Sequence, residues 1–174
     1  MRENDERCRP LPEAGGWNVS GPALLRLDLP ARAETLCELR VALRAAFLRA
    51  DIEPAASERL VLAINEAVCN VIRHAYAGRD DGALHLRIER ARGVLRMRLR
   101  DTAPPVDPSC IRPRDLGECR PGGLGINFID ATMDSWRLRP LRSHAGNVLT
   151  MSKRLRDVRM RTGARAGAKK GGKP

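Results

Sequence analysis

Aromatic side chains are scarce in this chain, which has two tryptophans, one tyrosine and two phenylalanines among 174 residues. Its core must therefore rest on leucine, valine, isoleucine and alanine. Proteins that bind single-stranded nucleic acid usually stack the bases on aromatic rings, so the scarcity disfavours that class. The five cysteines are scattered without C-x-x-C spacing, which indicates reduced thiols rather than a disulfide framework or a zinc site.

Long apolar runs are also missing, and none approaches the length of a membrane-spanning helix. The N-terminal stretch MRENDERCRPLPEAGG contains no apolar segment of the signal-peptide type, so we expect a cytoplasmic protein with no membrane partner. The chain length favours one domain with a sizeable core. We expect a flexible leader over residues 1–22, a folded domain over 23–155 and a disordered basic tail over 156–174.

The positive charge of the chain is unevenly divided. Of the net charge of +11, residues 156–174 carry +6, because seven lysines and arginines there accompany a single aspartate, and the remaining 155 residues carry +5. A basic tail of this kind can bind nucleic acid without sequence preference. The alternative is a solvated tail with no dedicated partner, so we expect no nucleic-acid contacts beyond non-specific ones from the tail.

Two periodicities alternate along the chain. Leucines that alternate with charged residues, as in LLRLDLP, LHLRIER and LRMRLR, predict half-buried strands, whereas apolar residues at three- and four-residue spacing predict helices. Pro54 suits the first turn of the second helix, and Gly78 suits its end. The expected elements are strands near 24–30, 84–90, 95–100, 135–139 and 147–153, helices near 32–49, 54–77 and 124–133, and a long loop over 102–123.

This order of elements predicts the fold class. Strands with one apolar and one polar face imply a sheet that is covered on one side only. We therefore expect an α/β protein, a two-layer sandwich whose mixed, mostly antiparallel sheet is covered on one face by helices. The loop over 102–123 contains five prolines, and loops of such length are usually functional lids or disordered.

A polar stripe interrupts the second helix. In NEAVCNVIRHAY, Glu66, Asn70 and His74 follow each other at intervals of four, which places them along one side of a helix whose other side is apolar. One interpretation is a functional site on the helix. The alternative is a row of solvated residues on the outer face, and the stripe alone does not decide between them.

Two further segments favour a nucleotide site. The strand LRMRLR ends at Asp101, and the long loop ends in RPGGLGINF, a glycine-rich turn that opens a helix. Glycines there let backbone N–H groups approach phosphate oxygens, and a helix N-terminus favours negative charge. The stripe, the strand-end acid and the glycine-rich turn together supply the parts that a nucleotide site needs.

In this order, the segments INEAVCNVIRHAY, DTAPPVDP, GGLGINFID and GNVLTMSKRL resemble those of the bacterial anti-sigma-factor serine/threonine kinases. These kinases belong to the ATPase superfamily of DNA gyrase, the histidine kinases and the heat-shock chaperone ATPases. The resemblance covers roughly residues 24–155 and implies a Bergerat-type ATP-binding fold.

The resemblance also implies a role for individual residues. Asn70 matches the asparagine that holds Mg²⁺ between the ATP phosphates, Glu66 the general base, and Asp101 the aspartate that bonds the adenine amino group. Arg73 is either a phosphate contact or a solvated arginine. The remaining nucleotide contacts implied by the resemblance are His74, Ala103, Arg120, Gly122, Gly123, Leu124 and Gly125.

One position departs from the family pattern. The family usually has Asp-x-Gly where this chain has Asp101, Thr102 and Ala103. The added methyl group is tolerable if φ at Ala103 is negative and costly if it is positive. The methyl group of Ala103 therefore leaves two alternatives open, ordinary and weakened ATP binding.

By resemblance, the chain is a protein kinase that acts by partner switching. It would bind Mg²⁺ and ATP, phosphorylate a serine of an anti-anti-sigma antagonist and sequester a sigma factor, as a homodimer. The alternative is a nucleotide-gated sequestering protein with little or no kinase activity, and Ala103 keeps that alternative open.

Overall fold

The computed structural model describes residues 22–76, 79, 81–106, 124–141 and 145–155. Within these ranges, strands and helices follow one another in the order that the two periodicities predict. A short π-helical turn (Val71–Ala75) continues the second helix. The elements are β1 (Ala23–Pro30), α1 (Thr35–Arg49), α2 (Pro54–Asn70), β2 (Ala83–Ala91), β3 (Val94–Asp101), α3 (Leu124–Thr132), β4 (Ser135–Pro140) and β5 (Asn147–Arg154).

The five strands form one sheet in the order β1-β2-β3-β5-β4, and each neighbouring pair is antiparallel. Strands β2 and β3 form a hairpin that turns at Arg92 and Gly93. Along each strand, the apolar side chains point to one face, so that Leu86, Leu99 and Leu149 lie side by side on β2, β3 and β5. The predicted α/β sandwich with a sheet covered on one face is confirmed, and its strands, expected to be mixed and mostly antiparallel, are antiparallel throughout.

The core lies between this apolar face and the helices. Helix α2 packs against both α1 and α3, and α1 also contacts β1. Since aromatics are scarce, aliphatic side chains fill most of the interior, as the composition indicates. The largest fully buried side chains on the helices and central strands are Leu39, Leu43, Phe47, Leu60, Ile64, Leu84, Ile88, Leu95, Met97, Leu99 and Met151.

Helix α2 begins as the sequence predicts and ends differently. Pro54 occupies its first turn, and the Glu53 carboxylate caps it by accepting hydrogen bonds from the N–H groups of Ala55 and Ala56. The α-helical geometry stops at Asn70, where the π-helical turn begins; the N–H of Tyr76 donates to the carbonyl of Val71, five residues earlier. The proposed end at Gly78 lies outside the described residues.

Several predictions concern parts of the chain outside the described ranges. These are the leader up to residue 21, the loop over residues 107–123 with Arg120, Gly122 and Gly123, and the tail from residue 156. Among the described helices, none is both long enough and apolar enough to cross a membrane.

Candidate functional site

The C-terminal end of α2 lies directly against the N-terminus of α3. A Cβ atom built on Gly125 would be 2.7 Å from Oε2 of Glu66 and 3.2 Å from Nδ2 of Asn70. The first of these separations is shorter than any ordinary contact of a Cβ atom, so only glycine allows this approach without movement. Gly125 therefore fixes how closely the carboxylate and the amide approach the start of α3.

This contact bears on the second interpretation of the stripe, the row of solvated residues on the outer face. Glu66 and Asn70 are both half-buried beneath α3, so they are not solvated residues on an outer helix face. His74 behaves differently, because the π-helical turn breaks the four-residue spacing and leaves its side chain exposed. No hydrogen bond between described residues connects His74 to Glu66 or Asn70.

Asp101 forms a second polar centre at the end of β3. It is 3% exposed, and its Oδ1 accepts hydrogen bonds from the N–H of Ala103 (3.0 Å), the N–H of Asn147 (3.1 Å) and Nδ2 of Asn147 (3.0 Å). Burial raises the pKa of this carboxyl, although the three hydrogen bonds act in the opposite direction. Among the described residues, no donor reaches Oδ2, so that oxygen can accept a hydrogen bond from a ligand.

Asn147 holds Asp101 and the start of the following loop in place. Its Nδ2 also donates to the carbonyl of Pro104 at 3.1 Å, and its Oδ1 accepts from the N–H of Val106 at 2.9 Å. Gly146 makes this possible: its φ is +128°, and a Cβ there would lie 2.4 Å from the Asp101 carbonyl oxygen. The role of Asn147 was not predicted; a polar residue beside a glycine at the start of a strand was the available signal in the sequence.

Tyr76 links the two polar centres. Its hydroxyl donates to the carbonyl of Ala83 at 3.1 Å, accepts from the N–H of Thr102 at 2.9 Å, and lies 3.0 Å from the Thr102 hydroxyl. Tyr76 follows the π-helical turn that extends α2, whereas Thr102 follows Asp101. The single tyrosine of the chain thus ties the helix of Glu66 and Asn70 to the strand end of Asp101, a role that sequence reasoning missed.

The unusual Ala103 fits its position without backbone strain. Within the described residues, the only non-glycine residues with positive φ are Asp51 and Arg92, so φ at Ala103 is not positive. The Ala103 side chain is fully buried, and its N–H is one of the three donors to Asp101. The condition under which alanine is tolerable is therefore met.

Two of the remaining predicted residues, Arg73 and Leu124, belong to described elements. Leu124 is the first residue of α3. Arg73 is exposed on the π-helical turn. Arg120, Gly122 and Gly123 lie outside the described residues, so the structure does not test their predicted contacts.

Comparison with known proteins identifies the family of this chain. The model of the histidine kinase-like ATPase domain family matches residues 29–153. The serine-protein kinase RsbW of Listeria monocytogenes is 32% identical over 122 residues, which cover 66% of this chain and 78% of that protein. RsbW of Staphylococcus aureus is 27% identical over 146 residues, which cover 79% of this chain and 90% of that protein.

A solved structure shows the same fold. The crystal structure of the RsbU and RsbW domains of Rv1364c from Mycobacterium tuberculosis aligns with a TM-score of 0.56 and 21% identity, over 77% of this chain and 32% of that one. Together, the matched domain and the relatives show that the chain belongs to the histidine kinase-like ATPase domain family, and within it to the anti-sigma-factor kinases.

Proposed function

We propose that this protein binds ATP with Mg²⁺, phosphorylates a serine of an anti-anti-sigma antagonist and sequesters a sigma factor. The observation that carries the proposal is the close approach of Gly125 to Glu66 and Asn70, which joins an acid, an amide and a helix N-terminus in one place. Relatives named as serine-protein kinases support the same activity.

Asp101 would select the base. Its Oδ1 is already occupied by three donors, whereas Oδ2 is available to accept from the exocyclic amino group of adenine. Guanine carries a carbonyl at the corresponding position, so an acceptor would face an acceptor, which costs binding free energy. The buried network around Asn147 keeps the carboxylate in its orientation and supports adenine selection.

Asn70 and Glu66 would serve the phosphates and the acceptor. The side-chain oxygen of Asn70 is a suitable ligand for Mg²⁺, which in nucleotide sites usually takes few protein ligands beside phosphate oxygens and water. Bound Mg²⁺ would offset negative charge on the phosphates. Glu66, one helical turn earlier, would orient the attacking serine hydroxyl and accept its proton.

The other expected contacts complete the proposal. His74, Ala103, Arg120, Gly122, Gly123 and Leu124 stay predictions as nucleotide contacts. A homodimer, partner switching between antagonist and sigma factor, and a cytoplasmic location also stay predictions that rest on the family. The flexible leader over 1–22, the kinase domain over 23–155 and the disordered tail over 156–174 are likewise proposed.

The test is a transfer assay with the purified protein, Mg²⁺, ATP labelled on the γ-phosphate and a candidate antagonist from the same cell. We expect label on a serine of the antagonist, and loss of that label in Asn70→Ala, which lacks the metal ligand. ATP binding without transfer to any candidate would support the alternative, a nucleotide-gated sequestering protein. The absence of both binding and transfer would contradict both proposals.

A further inference from the structure

The sheet face opposite the helices is dominated by arginine. Strand register places alternate residues of each strand on this open face, and no described helix packs against it. Two acidic residues, Asp28 and Glu89, share the face. Its arginines are Arg26, Arg87, Arg96, Arg98, Arg100, Arg137, Arg139 and Arg154.

Four of these arginines lie in one row across the sheet. Arg26 pairs with Arg87, Arg87 with Arg98, Arg98 with Thr150, and Thr150 with Arg137. We call Arg26, Arg87, Arg98 and Arg137 the arginine row. At about 4.8 Å between strands, the row extends roughly 19 Å across the five strands. Like charges directly opposite each other destabilise a sheet, so the fold bears a cost that a bound anion would offset.

Some of the charges on this face are paired with described acidic residues. Arg87 forms an ion pair with Glu89, and His85 forms one with Asp28. Among the described residues, Arg26, Arg98 and Arg137 have no acidic partner. Positive charge without an acidic partner among the described residues therefore occurs on β1, β3 and β4, whereas Arg154 on β5 lies beside Asp134.

The composition of the face indicates which kind of partner fits it. The central parts of protein–protein interfaces are enriched in aromatic residues, methionine and arginine, and are largely apolar. This face shares only the arginines with such interfaces, because its strands contribute no aromatic side chain to it and Val148 is the one apolar residue between Arg100 and Arg139. Interfaces with nucleic acid are more polar and far more positive. Arginine also matches phosphate in geometry, since its planar group donates two parallel hydrogen bonds.

We propose that the open face of the sheet binds the phosphodiester backbone of nucleic acid, without reading its sequence. Duplex DNA presents one negative charge per about 1.7 Å of its axis, so a row of about 19 Å meets several phosphates. Without aromatic side chains, the face cannot stack bases, which is why the contact is with the backbone alone. This surface is independent of the kinase site, which lies among the helices and strand ends on the opposite side.

The experiment uses the full chain, a fluorescent duplex of twenty base pairs and its single strand. The row variant changes Arg26, Arg98 and Arg137 to glutamine. The matched control changes Arg32, Arg49 and Arg59 to glutamine; these are exposed and lie outside the sheet, so both variants lose the same charge and keep the same basic tail. Urea unfolding of each variant checks that the fold is retained, and Arg137→Gln alone serves if the triple variant is unstable.

We expect the row variant to bind the duplex at least about tenfold more weakly than the control at 0.1 M salt. The slope of log K against log salt should become less steep by about 2.7 for three lost phosphate contacts, or by about 0.9 for Arg137→Gln alone. Equal weakening of duplex binding in the row and control variants would overturn the proposal, since the loss of net charge alone would then explain the weaker binding. Row-dependent binding of polyglutamate without binding of DNA would also overturn it in favour of an acidic protein partner.

Discussion

The two ends of the candidate nucleotide site are built in different ways. At the base end, Asp101 is buried at a strand terminus and held by three hydrogen bonds, two of them from Asn147. At the phosphate end, Glu66 and Asn70 are half-buried on a helix, and the feature that brings them to α3 is the missing side chain of Gly125. Hydrogen bonds position Asp101, whereas the space left by the missing side chain of Gly125 lets Glu66 and Asn70 approach α3.

The difference has a physical consequence. A buried network on a sheet is rigid, because each lost hydrogen bond leaves a buried polar group unpaired. Close packing between two helix ends allows adjustment, since either helix can shift when a ligand arrives. We therefore expect the base end to determine nucleotide affinity and identity, and the phosphate end to determine the rate of transfer.

The largest expected effect is at Glu66. Replacing it by glutamine keeps the shape and removes the proton acceptor, so transfer to the antagonist should fall by roughly 10²–10⁴-fold. Single-turnover labelling measures this loss. Glu38→Gln, an exposed acid in the first turn of α1, is the control and should retain transfer. An unchanged rate in Glu66→Gln would show that Glu66 is not the base.

The next effect is on nucleotide binding at Asp101. In Asp101→Asn, the amide carbonyl can keep the three internal hydrogen bonds, whereas an N–H group would replace the acceptor that faces adenine. A lost hydrogen bond to a charged group is worth about 1.5–3 kcal/mol, so ATP should bind roughly 10–150-fold more weakly. Calorimetric titration with ATP measures the change. Titration with GTP checks whether the ratio of ATP affinity to GTP affinity decreases in the variant.

Gly125→Ala should weaken both packing and transfer. The added methyl group would press on the Glu66 carboxylate, which is the far end of a flexible side chain and can turn away, so the loss of stability should be smaller than the about 1–3 kcal/mol of core overpacking, and the better helix propensity of alanine offsets part of it. Urea unfolding measures the loss. The double variant Glu66→Ala/Gly125→Ala removes the clashing carboxylate and should regain stability without regaining transfer. If the double variant were no more stable than Gly125→Ala, the Glu66 carboxylate would not be the group that the added methyl group contacts.

The pH dependence of stability separates two aspartates. Burial raises the pKa of Asp101, so its contribution to stability is present below the ordinary value of 3.8 and is lost as the pH rises through the folded-state pKa. Asp101→Asn should therefore gain stability relative to the wild type as the pH rises above 3.8. A constant difference at all pH values would contradict the raised pKa.

Asp134 is the matched control with the opposite sign. Burial alone would raise its pKa, yet hydrogen bonds from Lys153 and from the N–H of Arg154 lower it. Its contribution to stability is present at pH values above the ordinary pKa of 3.8 and is lost as the pH falls through the folded-state pKa. Asp134→Asn should therefore lose stability at neutral pH and match the wild type in acid.

The smallest expected effect on binding is at Ala103. Restoring the family's glycine removes a fully buried methyl group and adds backbone freedom, so the free energy of unfolding should fall by about 1–2 kcal/mol. Because alanine has no strained φ here, ATP affinity should stay within about threefold. A large gain in affinity on Ala103→Gly would show that the methyl group blocks the base.

Much of this fold was predictable, because alternation and helical spacing report burial directly. The strand leucines and the buried side of α2 follow from those periods, and Asp101 stood out as an acid at the end of an apolar strand. The π-helical turn was not predictable, since Val71–Ala75 has the same apolar spacing as a continuing α-helix. His74 was consequently placed in line with Asn70, and the structure leaves it exposed.

The hydrogen bonds between distant segments were also not predictable from the sequence. The bonds of Tyr76 to Thr102 and of Asn147 to Asp101 join residues 26 and 46 positions apart, and no local pattern encodes such pairs. The arginine row has the same origin. Each strand alternates on its own, and only the register aligns Arg26, Arg98 and Arg137 across the sheet.

The most direct test of the different roles of the two ends measures both ATP affinity and transfer rate in Glu66→Gln and in Asp101→Asn. Calorimetry gives the ATP affinity of each variant, and single-turnover labelling at saturating ATP gives its transfer rate. We predict that Glu66→Gln binds ATP within about threefold of wild type and loses transfer, whereas Asp101→Asn binds weakly and transfers within a few-fold once saturated. If both variants lost affinity and saturated rate together, the two ends would act as one unit and the account would be contradicted.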